Sequence, residues 1–350
     1  MLQKMHGSGG GKMRNPAIDA DRLYPLKFQP LYMERIWGGT LMSEHLNRTL
    51  PPHNDPIGEA WELVDREDAA SVVSEGELTG WSLHELFKHY GSAFAGESAM
   101  RYERFPLLVK LIDAGEKLSL QVHPDEKACA ELGNGAEPKT EMWYIIAAKK
   151  DAKILAGLNP RATQLQILEK LDSADIESQL QIHASIPGDT YFIQSGTLHA
   201  IGAGNLILEI QQNSDTTYRI SDWGRVGSDG KPRQLHREEG LKSISFTNRS
   251  CPRIPGVSGK VGFNRKFDVV TRCPYFKVTD LRLTSEWKDD TAPGKSFHMI
   301  SAVTGRVQIG KDERTAVLLP GESAVIPACF GAYTVQPLDG DETVVLKTTL

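Results

Sequence analysis

The stretch at residues 118–125 (LSLQVHPD) places polar side chains at alternate positions of an apolar segment. Residues two apart in a strand point to the same side, so Gln121 and His123 share one face while Leu120 and Val122 share the other. Polar groups that point into a barrel are costly unless they meet a partner or an ion. Because histidine is the commonest metal ligand, this pair is a candidate metal site.

Two later segments carry groups of the same kind. Lys139 and Glu141 are two residues apart in PKTEMWY and share a face, and His199 lies at a turn that leads into the next predicted strand. His123 and His199 are 76 residues apart, so their spacing alone is no metal motif. The other eight histidines have no second ligand beside them at strand spacing, and we expect structural roles for them.

A fourth segment, residues 208–219, combines a strand with a polar turn. Glu209 and Gln211 share one face of that strand, and Arg219 lies on the predicted strand that follows. A guanidinium is always protonated, so Arg219 is suited to stabilise negative charge. The alternative is that Arg219 forms a surface salt bridge, which contributes little.

The elements around these residues are short and mostly β. Apolar strand patterns separated by Gly and Pro turns occupy residues 105–220 and again residues 276–346, which favours antiparallel jelly-roll barrels. The segment at residues 188–196 is echoed at residues 321–328, as two related barrels would produce. Ser82 and Glu85 form a capping-box pattern that predicts a short helix.

We predict a flexible tail at residues 1–22, which include the run GSGGG. A first β domain then covers residues 23–250, with a helical insertion near residues 163–182, where leucine and isoleucine recur at helical spacing. A second β domain covers residues 251–350. The polar stretch at residues 226–256 is the predicted connection between the two domains.

Composition excludes several classes of protein. The 350 residues include 40 basic and 45 acidic side chains and have a net charge of −5, which argues against a nucleic-acid binder. Mean hydropathy is −0.34, and no run of 18 apolar residues exists, so no membrane span is predicted. The four cysteines form no CxxC pair, which predicts reduced thiols in a cytoplasmic protein.

Several motifs together resemble one family. QVHPD (121–125), KTEMW (139–143), GTLHAI (196–201) and QNSDTTYR (212–219) are similar, in this order, to motifs of the type I mannose-6-phosphate isomerases. These enzymes, also called phosphomannose isomerases, belong to the cupin superfamily, and this chain resembles their short bacterial class. The resemblance implies a mainly β fold of two cupin-type jelly-roll barrels with a small helical insertion.

The resemblance also implies a metal site. The family holds zinc with a glutamine, two histidines and a glutamate, and the matching residues are Gln121, His123, Glu141 and His199. We therefore expect one Zn²⁺ per chain, although Mn²⁺, Co²⁺ or Fe²⁺ fits the same donors. The second barrel offers only His298 among apolar neighbours, so we expect a degenerate, structural cupin-like domain there.

The family's active-site lysine and arginine match Lys139 and Arg219. The implied reaction interconverts mannose 6-phosphate and fructose 6-phosphate through a cis-enediol, and Ser119, Lys139 and Arg219 are candidates to bind the sugar phosphate. Two general bases remain open, a desolvated Lys139 and a zinc-bound water. Two other functions remain open as well, a non-catalytic sugar-binding or regulatory cupin and a metal-dependent dioxygenase. We expect a monomer or homodimer whose partner is a small-molecule sugar phosphate.

Overall fold

A computed structural model describes residues 15–133, 135–171, 173–227, 230–254, 257–292 and 294–350. Within these ranges the chain is mainly β, as predicted. The first strands are β1 (Leu26–Lys27), β2 (Leu31–Glu34), β3 (Ile57–Leu63), β4 (Leu107–Ala114), β5 (Leu120–Val122), β6 (Glu141–Ala148), β7 (Lys153–Leu158), β8 (Leu180–Ala184), β9 (Thr190–Ile193), β10 (His199–Ile201), β11 (Asn205–Gln212), β12 (Tyr218–Ser221) and β13 (Arg253–Ile254).

The later strands are β14 (Val257–Val261), β15 (Asn264–Val270), β16 (Lys277–Leu283), β17 (Trp287–Asp290), β18 (His298–Thr304), β19 (Val307–Lys311), β20 (Arg314–Leu318), β21 (Ser323–Ile326), β22 (Ala332–Pro337) and β23 (Thr343–Thr349). The α-helices are α1 (Leu41–Leu46), α2 (Leu83–Ala95), α3 (Glu126–Leu132), α4 (Gln164–Lys170) and α5 (Arg237–Ser243). None of the helices in the described ranges is both long and apolar enough to cross a bilayer.

Two antiparallel sheets form the first unit. One has the strand order β13-β9-β6-β11-β4-β3-β2 and the other the order β12-β5-β10-β7-β8. Their facing surfaces share an apolar cluster in which Trp143 and Ile207 of the larger sheet join Ile154 and Ile201 of the smaller one. The candidate site residues lie on these facing surfaces.

The outer surface of the five-stranded sheet is covered by helices. Leu120 and Val122 of β5 pack there in one cluster with Ile167 of α4 and with Ile176 and Ile244. The alternation along β5 therefore turns Gln121 to the opposite, inner surface, as the sequence predicts. The helical cover thus helps to fix which side chains of β5 enter the interior.

The second unit repeats this plan. Its sheets have the orders β1-β21-β18-β23-β16-β15-β14 and β17-β22-β19-β20. The two seven-stranded sheets pack back to back through the largest apolar cluster, which contains Leu111 and Leu208 of the first unit and Met299 and Leu346 of the second. The two units are therefore joined by a continuous core.

The N-terminal segment connects both units. Strand β1 pairs with β21 of the second unit, whereas β2 pairs with β3 of the first. Of the predicted flexible tail, residues 1–14 lie outside the described residues. Further along, the Ile18 amide donates to the Tyr90 hydroxyl at 3.1 Å, and Trp81 Nε1 donates to the Asn15 carbonyl at 2.9 Å.

The helices agree with the sequence in part. The capping box that opens α2 is confirmed, because Ser82 Oγ accepts from the Glu85 amide and the Glu85 carboxylate accepts from the Ser82 amide. The segment near 163–182 contains α4, the 3-10 helix Ala174–Gln179 and the start of β8. Helix α5 lies in a stretch that we predicted only as a connection. Gly240 permits its packing, since a Cβ there would lie 2.1 Å from Ile220 Cδ1.

The pairing of β1 with the second unit should contribute measurably to stability. Leu26 is fully buried in the large cluster, so Leu26→Ala should lower the free energy of unfolding by about 3 kcal/mol through lost burial and a cavity. Leu165→Ala, at a position 65% exposed on α4, should change it by less than about 0.5 kcal/mol. Equal values for the two variants in urea unfolding would contradict this role for β1.

Candidate metal centre and active site

Three adjacent strands of the five-stranded sheet align three of the predicted site residues. Arg219 of β12 lies opposite Gln121 of β5, and Gln121 lies opposite His199 of β10. Residues directly opposite each other in antiparallel strands project from the same face, so these side chains form a row. His123 follows β5 by one residue and lies on the same side as Gln121.

Glu141, the first residue of β6 in the facing sheet, meets this row. Its Oε2 lies 3.5 Å from His123 Nε2, and its Oε1 lies 3.5 Å from His199 Nε2. The ring centroids of the two histidines are 4.9 Å apart, and all three side chains are buried. Among the residues that the structure describes, this is the only group of three or more such side chains placed to hold a metal ion.

Backbone contacts orient both imidazoles. His123 Nδ1 donates to the Thr216 carbonyl and His199 Nδ1 to the Thr197 carbonyl, each at 2.8 Å. This leaves the Nε2 lone pairs directed toward Glu141, an arrangement typical of metal-binding histidines. His123 Nε2 and Glu141 Oε1 are buried without a hydrogen-bond partner among the described residues, which is costly unless an ion satisfies them.

The fourth predicted ligand lies beside these three. The Gln121 side-chain nitrogen is 3.2 Å from His199 Nε2, so in this arrangement the amide donates to the imidazole. An amide ligates a metal through its oxygen, which is not the atom presented to His199 here. Two imidazoles and a carboxylate nevertheless suit Zn²⁺ and its neighbours in the first transition series.

The protonation states of His123, His199 and Glu141 suit the binding of a cation. Burial lowers the pKa of both histidines, that of His199 to about 3, so both are neutral and able to ligate. Burial raises the pKa of Glu141, but the attraction of Lys139 outweighs it and holds that pKa well below its usual range. The site therefore presents two neutral donors and one anionic donor.

A second carboxylate lies next to the group. Lys139 Nζ is 2.8 Å from Glu141 Oε2 and 3.9 Å from Glu209 Oε1, and Lys110 Nζ is 3.8 Å from the same Glu209 oxygen. Glu209 Oε2 accepts from Trp143 Nε1 at 2.8 Å. Burial, followed by repulsion from Glu141, raises the pKa of Glu209 to about 7.

Lys139 is held in its charged form. Burial alone would lower its pKa, but the nearby carboxylates of Glu141 and Glu209 outweigh that cost and raise the pKa above its ordinary value. A lysine in this state donates hydrogen bonds and stabilises negative charge, and it does not accept a proton. These contacts argue against Lys139 as the general base, which is one of the two alternatives that the sequence leaves open.

Arg219 and Ser119 lie along the edge of the row. Arg219 Nη1 donates to the Gln234 carbonyl at 2.8 Å, and its Nε is buried without a partner among the described residues. Within the described part of the chain, its guanidinium is not paired with a carboxylate within 4 Å, which disfavours the surface salt bridge. Ser119 is buried two residues before Gln121, on the same side of that segment.

Sequence reasoning missed two residues of this arrangement. Glu209 was placed on a strand face without a role, and Lys110 was not considered. The available signal was one lysine within the apolar strand PLLVKLI, since buried lysines require a partner. Lys110 lies opposite Glu209 in the sheet, and this pairing depends on the register of β4 with β11.

Comparisons with known proteins show what this chain is similar to. Residues 25–140 match the family profile "Phosphomannose isomerase type I, catalytic domain", and residues 266–342 match "Mannose-6-phosphate isomerase, cupin domain". Mannose-6-phosphate isomerase ManA of Bacillus subtilis (strain 168) is 34% identical over 316 residues, which cover 89% of this chain and 96% of that protein. Mannose-6-phosphate isomerase of Streptococcus mutans is 30% identical and covers 92% of this chain and 97% of its own length.

A solved structure extends the similarity to the whole fold. The crystal structure of the mannose 6-phosphate isomerase from Bacillus subtilis matches with a TM-score of 0.82 at 30% identity, covering 94% of this chain and 100% of that one. The cupin fold and these named relatives together identify the chain as a cupin isomerase. The chain belongs to the type I phosphomannose isomerase family. The predictions of this family, of a mainly β cupin fold and of an isomerase are confirmed.

Metal binding should depend on the charge of Glu141. Glu141→Gln removes the single anion between the two histidines, and metal affinity should fall by about 100-fold or more, since even outer partners of metal ligands contribute about 10- to 100-fold. Elemental analysis after dialysis against a competing chelator measures this directly. Glu131→Gln, at an exposed position of α3, should retain the metal. Full retention of metal in Glu141→Gln would contradict the assignment.

Proposed function

We propose that this chain interconverts mannose 6-phosphate and fructose 6-phosphate through a cis-enediol, with one Zn²⁺ held by Gln121, His123, Glu141 and His199. The observation that carries the proposal is the buried His-Glu-His group, whose ligating atoms lie within 4.8 Å of one another, next to a second buried carboxylate. Membership in the family supports the substrate class. Mn²⁺, Co²⁺ or Fe²⁺ suits the same donors.

The reaction moves a proton between C2 and C1 of the open-chain sugar. When bound, Zn²⁺ supplies Lewis-acid polarisation of the sugar oxygens at these carbons. The chain itself must supply a group that accepts the proton from one carbon and returns it to the other. Such a group works best when its pKa lies near the working pH.

Glu209 is the residue that we assign to this proton transfer. Its pKa of about 7 matches the requirement, and it is not among the four proposed ligands. Trp143 fixes Oε2, which leaves Oε1, facing Lys110 and Lys139, to carry the proton. This assignment replaces the two bases left open by the sequence, Lys139 and a metal-bound water.

Lys139 and Arg219 have a different task in this proposal. Both are positively charged and border the interior, so they stabilise negative charge that develops on the sugar oxygens. The unpartnered Nε of Arg219 is available for such a contact. Together with Ser119, these two residues bind the sugar phosphate.

A non-catalytic sugar-binding cupin is the alternative function. A binding module has no use for a buried carboxylate with a pKa near neutrality, which therefore favours catalysis. The free cysteines in the described residues fit a reducing compartment, so we infer a cytoplasmic enzyme, monomeric or homodimeric, that binds neither nucleic acid nor membrane.

The proposal predicts a metal-dependent activity. A coupled assay should detect fructose 6-phosphate formed from mannose 6-phosphate, with glucose 6-phosphate as the control substrate. Exhaustive chelation should abolish turnover, and added Zn²⁺ should restore it, because the predicted ligands converge on one interior point. An unchanged kcat after chelation, with metal removal verified by elemental analysis, would refute the metal role.

Replacement of Glu209 should separate proton transfer from binding. Glu209→Gln keeps an oxygen for Trp143 but cannot take a proton, so kcat should fall by about 10²- to 10⁴-fold. Wild-type kcat/KM should rise with pH as Glu209 ionises, and this rise should disappear in the variant. Metal content should match the wild type, and Glu131→Gln is the control. A kcat within a few fold of the wild-type value would exclude Glu209 as the base.

A further inference from the structure

A groove of about 370 Å³ lies at one edge of the interface between the two units. One wall is formed by residues 188–190 and by Cys251, Arg253 and Ile254 of the first unit, and the other wall by β15 and β16 of the second unit. This volume is within the range of about 300–1,000 Å³ that is typical of small-molecule sites. The back-to-back packing of the two seven-stranded sheets therefore leaves room for a ligand at its rim.

Strand β6 separates the groove from the metal centre. Successive side chains of a strand point to opposite faces, and Trp143 packs in the interior of the first unit whereas Tyr144 packs in the core between the two units. Tyr144 borders the groove, because a Cβ built on Gly188 would lie 3.7 Å from the Tyr144 hydroxyl and 3.6 Å from Arg282 Nη2. A ligand in the groove would therefore meet the side of β6 that faces away from Glu141.

Asp280 presents an unsatisfied acceptor in this groove. Its side chain is only 4% exposed, and Arg282 donates to its Oδ2 through Nε at 3.3 Å and Nη2 at 3.2 Å. The other oxygen, Oδ1, is buried and has no hydrogen-bond partner among the described residues. A buried carboxylate oxygen without a donor is costly, so a ligand that donates a hydrogen bond would relieve this cost.

Asp189 repeats this arrangement on the opposite wall. Arg253 Nη2 donates to its Oδ1 at 2.7 Å, whereas its Oδ2 is buried and unpartnered within the described part of the chain. Burial, followed by the charge of Asp280, raises the pKa of the Tyr144 hydroxyl, which therefore stays protonated and can donate a hydrogen bond. The groove thus offers two free carboxylate oxygens and one hydroxyl.

The charges of the groove are balanced. Of the described residues that line it, Asp189 and Asp280 supply the carboxylates, and Arg253 and Arg282 supply the guanidinium groups. A charged ligand would bring a charge without a counterion, whereas hydroxyl groups can bind without that cost. The side chain of Phe267 adds apolar surface, which suits the C–H groups of a polyhydroxyl compound.

We propose that this groove binds an uncharged compound with neighbouring hydroxyl groups, which is the chemistry of a sugar or a sugar alcohol. The free oxygens of Asp280 and Asp189 accept hydrogen bonds from ligand hydroxyls, and the Tyr144 hydroxyl supplies a further polar contact. This site is additional to the proposed isomerase function and does not depend on it.

Thiol footprinting can locate a ligand in the groove, because Cys251 lines it and is exposed. The metal-loaded, full-length protein is treated with iodoacetamide at increasing concentrations of D-mannose or D-mannitol, and alkylation of each cysteine is followed by mass spectrometry. At least one of the two probes should slow alkylation of Cys251 along a saturation curve. Protection by mannose alone indicates a ring sugar, and protection by mannitol indicates an open-chain polyol. Alkylation of Cys129, outside the groove, should not change.

Two substitutions test the assigned contacts. Asp280→Asn should raise the apparent Kd by about 10- to 100-fold, the contribution of a hydrogen bond to a charged group. Tyr144→Phe keeps the ring in the core and should raise the apparent Kd by about 2- to 10-fold, the contribution of a neutral hydrogen bond. Asp341→Asn, at an exposed position, is the matched control.

The outcomes separate this site from the proposed active site. Saturable protection of Cys251 that survives metal removal and weakens in the variants would support the groove, even if the isomerase assay fails. The absence of protection, equal protection of Cys129 or unchanged Kd values in both variants would overturn it. Protection that disappears with the metal would also overturn it. If Asp280→Asn unfolds at a lower temperature than the wild type, Tyr144→Phe decides the question.

Discussion

The negative charge of Glu141 sets the main constraint on this structure. Its carboxylate is buried inside the first jelly roll, where an uncompensated charge would be prohibitively costly. Lys139 pairs with it at 2.8 Å, and two neutral imidazoles converge on it at 3.5 Å. Lys139 also approaches Glu209, and Glu209 faces Lys110. Each buried charge is therefore compensated by an opposite charge beside it. The polar interior is therefore one coupled network.

The two sheets of the first unit are arranged so that this network of charges can form. Two facing sheets bring Glu141 from one side and the row Arg219, Gln121 and His199 from the other. Helices on the outer surface of the smaller sheet bury Leu120 and Val122, which keeps the polar side of β5 turned inward. The second unit covers the outer surface of the larger sheet through the shared apolar core.

Strand periodicity was enough to predict the local part of the site. The alternation of residues correctly placed Gln121 on the inner face opposite Leu120 and Val122, and serine and glutamate spacing predicted the start of α2. The pairing of Lys110 with Glu209 could not be predicted, because it depends on the register between strands about 100 residues apart in the chain.

The position of β1 has a consequence for biosynthesis. Leu26 pairs with Val325, about 300 positions later, so the first strand cannot find its place until nearly the whole chain has left the ribosome. Until then, the buried side of the N-terminal segment lacks its partner and exposes apolar surface. Folding is therefore completed late. The N-terminal segment is the part of the nascent chain that must be protected from aggregation for the longest time.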